Sequence, residues 1–202
     1  MCPRTRVAPM ESRARVRYVG RVPHGMTIPD STLHLGGLAL AHAAWTVSDL
    51  PNGETLCPLA FVRRGQDLQL IRFEADSQAT AIQGGRAELE KQQSSMDAWA
   101  FAREGLVEQN LFELGAAPSS EQGKLDVLTI DIWSHDMTRR ITFIQPYTPQ
   151  ATGSFRVLGD ALVVVDGKVV DGKRAERMRA HLYQGARKHP KAADLWDQWH
   201  SR

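Results

Sequence analysis

Between Asp30 and Asp49 the chain runs for eighteen residues, 31–48, without an Asp, Glu, Lys or Arg. In a chain where 24% of residues are charged, such a run sets what the rest must build around it. It sits at the short limit for crossing a bilayer, and Ser31, Thr32, His34, His42, Thr46 and Ser48 interrupt it. A buried helix is the better reading. Asp30 or Ser31 is placed to cap its first turn, and Pro51-Asn52-Gly53 stops it. Leu33, Gly37, Leu40, Ala44 and Val47 follow a 4-3-4-3 spacing that forms one stripe, and His34, Leu38, Ala41 and Trp45 form the stripe beside it. A helix lying on a single sheet needs one such stripe. Two stripes predict cover from a further element or from a second copy of the chain.

Periodicity downstream predicts a mainly antiparallel sheet. Residues 56–63 and 67–74 alternate around Arg64-Gly65-Gln66 and read as a hairpin. A second helix is expected from Asp76-Ser77 to about Gln93, with Gly84-Gly85 inside it, a placement that suits close packing against another backbone. Residues 98–109 are read as strand because Trp99 and Phe101 alternate with alanines, and 115–124 as a polar loop. The clearest strands are 125–134 and 141–147. Further strand follows, broken at Asp166-Gly167 by a two-residue hairpin turn. From Gly172 the pattern turns helical; Pro190 ends that helix, and a last short one presents Leu195, Trp196 and Trp199. The expected architecture is α+β: an antiparallel sheet with helices packed on one face, spanning 26–171. A flexible basic arm at 1–25 precedes it, and a helical extension at 172–202 follows.

Charge divides the chain in the same places. Residues 1–24 hold six arginines against Glu11, a net of +5, and residues 167–202 also carry +5. The body, 25–166, carries −8, so the overall +2 hides two basic ends on an acidic middle. Such ends attract nucleic acid or anionic lipid, or lie on the protein's own acidic surface. The basic patch Lys173, Arg174, Arg177 and Arg179 is the densest part. No recognition-helix, RNP, GXXG or zinc-knuckle pattern accompanies it, so a nucleic-acid role is not carried by motif. Only Cys2 and Cys57 are present, which fits a reducing cytoplasm better than a disulfide scaffold. The first 24 residues lack the apolar core of a signal peptide.

The stretch DIWSHDMTRR, 131–140, gathers the residue types of a reaction centre. With 136–139 as the turn, Ser134 is expected opposite Ile141 and Ile132 opposite Phe143. Asp131 and His135 then lie four residues apart on one strand, about 13 Å, too far to share a hydrogen bond. No Gly-x-Ser-x-Gly elbow occurs. His135, Asp136, Arg139 and Arg140 are therefore read as a polar hairpin end, and Cys57, before Pro58, as a buried small hydrophobe. His34 and His42 are eight apart on one helix, about 12 Å, and cannot serve one metal ion; His181 and His189 repeat that spacing. No catalytic residue, metal or cofactor is assigned.

The function expected from these residues is contact with another protein, most simply a second copy, through His34, Leu38 and Trp45 on the first helix. Trp133 and Ile144 on the outer sheet face, or Trp196 and Trp199 at the end, are the next candidates. Cover of Trp133 and Ile144 by the chain's own helices, such as the C-terminal ones, is expected, as is docking of the Trp pair onto the body. The alternatives are a small hydrolase or transferase with a helix–sheet cleft near His135, and a nucleic-acid accessory protein using the basic ends.

Overall fold

The computed structural model describes residues 27–51, 54–112, 123–149 and 154–200; the arm at 1–25 and most of the 115–124 loop lie outside them. The helices are α1 (Asp30–Ser48), α2 (Gln78–Lys91), α3 (Lys173–Ala186) and α4 (Ala193–Trp199). The strands are β1 (Leu59–Arg64), β2 (Asp67–Arg72), β3 (Ala98–Glu108), β4 (Lys124–Ser134), β5 (Ile141–Thr148), β6 (Arg156–Val157), β7 (Leu162–Val165) and β8 (Lys168–Val170). They form one sheet in the order β2-β1-β3-β4-β5-β7-β8, with β6 on β5, and neighbours are antiparallel. The fold is mixed α+β on a mainly antiparallel sheet. Among the described residues no helix is long and apolar enough to cross a membrane.

Strand alternation divides the core between the two faces of the sheet. Ala98, Ala100 and Ala102 of β3 and Leu128, Ile130 and Ile132 of β4 face α1, α3 and α4 in the main cluster. The alanines of β3 leave the room that α1 occupies. Trp99 and Phe101 point the other way, into a second cluster with Ala60, Val62 and Leu89. Leu89 belongs to α2, so this helix crosses the opposite face while the other three share one. Gly85 of α2 lies against Phe73 and Phe101; a Cβ there would sit 2.9 Å from the Phe73 ring, which accounts for a glycine inside the helix. Asp166-Gly167 makes the expected hairpin turn, with both residues at positive φ (51° and 71°) and Val165 paired to Lys168.

The cover over α1 comes from the chain itself. α3 lies directly along it, and the two backbones touch at glycines. A Cβ on Gly37 would lie 2.6 Å from Ala186 N, and one on Gly185 would lie 2.6 Å from His34 Cα. Only glycine permits helices this close. Gly37 meets Leu182 and Ala186, and His42 meets His189, so α1 and α3 run parallel. The second apolar stripe was expected to need a further element or a second copy; α3 is that element. Leu182, Trp196 and Trp199 join Leu33, Leu40 and Val47 in one core, so the C-terminal segment completes the domain.

Two local expectations are corrected. α1 begins at Asp30 with Pro29 at its cap and no side-chain cap hydrogen bond, so neither Asp30 nor Ser31 caps it. The β4–β5 hairpin pairs Ile132 with Ile141 and Asp131 with Thr142, two residues out of the expected register. Met137 is the reason: it is buried, and its N–H donates to Ser134 O at 2.9 Å. Drawing Met137 into the core lengthens the turn. A shift of two keeps every side chain on its expected face.

The glycine contact yields a paired prediction. Gly185→Ala forces the α1 and α3 backbones apart and lowers stability by about 3 kcal/mol in urea unfolding. Gly84→Ala, where nothing lies within 4 Å of the new Cβ, raises it by about 0.5–1 kcal/mol. Equal effects at the two sites would refute the close-contact account.

Candidate functional site

The polar hairpin end resolves into separate pairs. His135 Nε2 meets Asp136 Oδ1 at 3.1 Å, Arg140 reaches Glu90 at 3.0 Å, and Arg139 pairs with Asp166. These groups are largely exposed and each is tied to a different neighbour. Asp131 is apart from them, as the strand spacing requires. It accepts from Arg103 at 2.7 Å, Thr142 at 2.7 Å and Arg86 at 3.2 Å. Burial pushes its carboxyl pKa up. The charge of Arg103, the Thr142 hydrogen bond and the charge of Arg86 outweigh burial and hold it below the usual range. This buried cluster fastens β3, β4, β5 and α2 together, a structural use of charge. Arg103 and Arg86 carried no sequence signal, because their partner lies on another strand.

The histidines also find partners across elements. The parallel packing sets His34 beside His181, with ring centroids 5.6 Å apart, and His42 beside His189. His42 Nδ1 and His189 Nε2 are 3.0 Å apart. The N–H groups of Ala192 (2.9 Å) and Lys191 (3.2 Å) donate to His189 Nδ1. His189 therefore carries its proton on Nε2 and donates it to His42 Nδ1. His42 carries its own on Nε2, which is buried without a partner among the described residues. Both nitrogens of the contact are occupied by each other, and no group of three or more metal-ligating side chains occurs among the described residues. Burial first, then His189, Arg72 and Lys191, lowers the His42 pKa from 6.5 to about 4. His189 is lowered by burial and then by Lys191. Cys57 is half-buried, with Sγ 3.3 Å from Phe73 O.

Of the candidate contact residues, the C-terminal pair takes the docked arrangement expected of it. Trp196 is 0% exposed and packs on Tyr183, and Trp199 is buried edge-on against Phe155 at 5.1 Å. They anchor α4 to its own body and offer nothing to a partner. Trp133 is covered from the α2 side, stacked on Trp99 at 6.4 Å, and not by the C-terminal helices. The reason is the strand parity, which turns Trp133 away from α3 and α4. Ile144 is half-buried against Phe112, Leu125 and Val127.

His34, Leu38 and Trp45 keep partly exposed positions along one flank of α1. His34 reaches Gln184 at 3.4 Å, and Lys191 lies 4.7 Å over the Trp45 ring. Beside this flank runs β2, at the end of the strand order. Leu68 pairs with Arg63 and Leu70 with Phe61, which places both leucines on the α1 side of the sheet. They remain 50% and 37% exposed. A cavity of about 250 Å³ lies between Leu68 and α1, lined by His34, Leu35, Leu38 and Leu68 among others. Gly65-Gln66 makes the two-residue turn between Arg64 and Asp67. Asp67, Gln69 and Ile71 therefore bond inward to β1, while the backbone groups of Leu68, Leu70 and Arg72 point outward. Leu68 and Leu70 belonged to a strand read correctly, but nothing in their alternation marks that strand as an edge.

The basic patch divides. Lys173, Arg174 and Arg177 line a cavity at the start of α1, while Arg179 is not among its lining residues. No protein-family model matches this chain, and neither a curated protein nor a solved structure does.

The histidine pair predicts a pH dependence. A histidine held below its free pKa is neutral in the fold and protonated more readily in the unfolded chain. Stability is complete above about 6.5 and declines as pH falls from there towards about 4. Thermal unfolding from pH 7.5 to 4 will record that decline. His42→Asn, which retains an acceptor but does not titrate, will lessen it; an unchanged slope would rule the pair out as its source.

Proposed function

We propose that this protein acts in the cytoplasm through contact with a second copy of itself, without catalysing a reaction, and that β2 with the adjoining flank of α1 is the contact surface. The observation that carries this reading is the edge strand: a hydrogen-bonding backbone open on one side among the described residues, bearing two exposed leucines on the face shared with Leu38. Such an edge is a template for another strand. The cytoplasmic setting rests on the scarcity of cysteine.

The strand is self-complementary. A two-fold axis perpendicular to the sheet sets β2 antiparallel to its copy and keeps α1 of both copies on the same side. With Gln69 opposite Gln69 of the copy, Leu68 lies opposite Leu70 of the copy, and the reverse. Each such pair exchanges both of its outward N–H···O bonds and stacks two leucines on the α1 side. Asp67 and Arg72 stand at opposite ends of the strand, so the antiparallel arrangement brings the acidic end of one copy beside the basic end of the other. The contact departs from the one expected of α1 alone. The helix is wrapped by α3, and only its outer flank, with Leu38 and Trp45, borders the edge.

Mass in solution tests this on the full chain over a range of concentrations. The expected result is a concentration-dependent dimer that becomes monomeric in the double variant Leu68→Lys, Leu70→Lys. Because both side chains are exposed, the melting temperature of the variant stays near that of the parent. A parent that is monomeric at its highest soluble concentration, or a variant that dimerises equally well, ends the proposal.

A further inference from the structure

The parallel course of α1 and α3 has a second result at the opposite end from the His42–His189 contact. Asp30, the first residue of α1, reaches His181 at 3.5 Å, and His181 is already two turns into α3. The first turns of α3 therefore overhang the start of α1 by about 12 Å. A cavity of about 450 Å³ lies in the angle between them. This is within the usual size of a small-molecule site.

Its walls are of two kinds. Partly exposed Ile28, just before α1, forms the apolar wall, backed by the buried side chains of Leu33 and Met178. Lys173, Arg174 and Arg177 supply three cations. The acid in the lining, Asp30, is directed to His181, whose Nδ1 is buried without a hydrogen-bond partner among the described residues. Three cations thus face one carboxylate in this lining, and that carboxylate is turned to His181. A field of that shape draws anions to the cavity.

We infer that this cavity binds an organic anion, a phosphate or carboxylate head on an apolar body, with the head between Lys173 and Arg177 and the body against Ile28, Leu33 and Met178. Arginine suits such a head through paired N–H donors, and lysine adds a point charge. The carboxylate of Asp30 lies beside the apolar end and opposes a second negative group there. That selects a ligand with a single head over a polyanion.

The test is calorimetric titration of the full chain with hexyl phosphate, hexanoate, inorganic phosphate and a short single-stranded oligonucleotide. Saturable one-to-one binding of hexyl phosphate or hexanoate is expected, weakened by added salt and tighter than that of inorganic phosphate; comparing the two hexyl probes identifies the preferred head. The double variant Lys173→Ala, Arg177→Ala should bind at least about tenfold more weakly. Both side chains are exposed, so an unchanged melting curve will show that the fold survives. Three results overturn the inference: no saturable binding of either hexyl probe, undiminished binding by the variant, or tighter binding of the oligonucleotide than of both hexyl probes.

Discussion

The crossing of α1 and α3 at Gly37 and Gly185 is the contact on which the rest of the molecule depends. Where two helix backbones meet with no side chain between them, their separation and direction are set by the chain itself. That close approach lets α3 cover the uncharged helix and brings the C-terminal segment into the main core. It also fixes the relation between the two helices residue by residue. His42 falls against His189, His34 against His181, and Asp30 against the third turn of α3.

From this one contact the two ends of the helix pair acquire opposite characters. At the far end, His189 accepts two backbone N–H groups at the entrance to α4 and donates its Nε2–H in a hydrogen bond to His42, so a neutral imidazole pair ties the last helix to the first. At the near end, the overhang of α3 leaves a cationic cavity. The same eight-residue histidine spacing occurs in both segments. Its meaning is structural: two helices laid side by side in parallel match like positions to like positions.

The sheet has a comparable division of labour. On its α1 face, the alanines of β3 admit the helix. On the other face, Asp131 gathers Arg103, Arg86 and Thr142 and is shielded by α2, while Trp133 stacks on Trp99. The residues that resembled a reaction centre thus serve two ends: Asp131 stabilises the interior, and His135, Asp136, Arg139 and Arg140 make local surface pairs. Among the described residues β2 is an edge at one end of the order, with exposed leucines on the side of Leu38.

Local chemistry made much of this legible in the amino-acid sequence. The α+β class, the extent of α1, the β1–β2 turn, the strand at 98–108 and the Asp166-Gly167 turn all follow from periodicity and turn residues, whereas α3 stops at Ala186, short of the expected Pro190. These signals act over a few neighbours and do not depend on where the segment ends up. Strand parity was equally local, so the separation of Asp131 from His135 followed even though the hairpin register was two residues out. What only the tertiary structure decided is everything that requires knowing which segments meet: α3 as the cover of α1, α2 on the far face, the burial of Trp196 and Trp199, and the edge position of β2. The physical reason is that burial and exposure are properties of pairs of surfaces. A stripe of apolar residues states that something must lie against it, and only the folded chain supplies the partner.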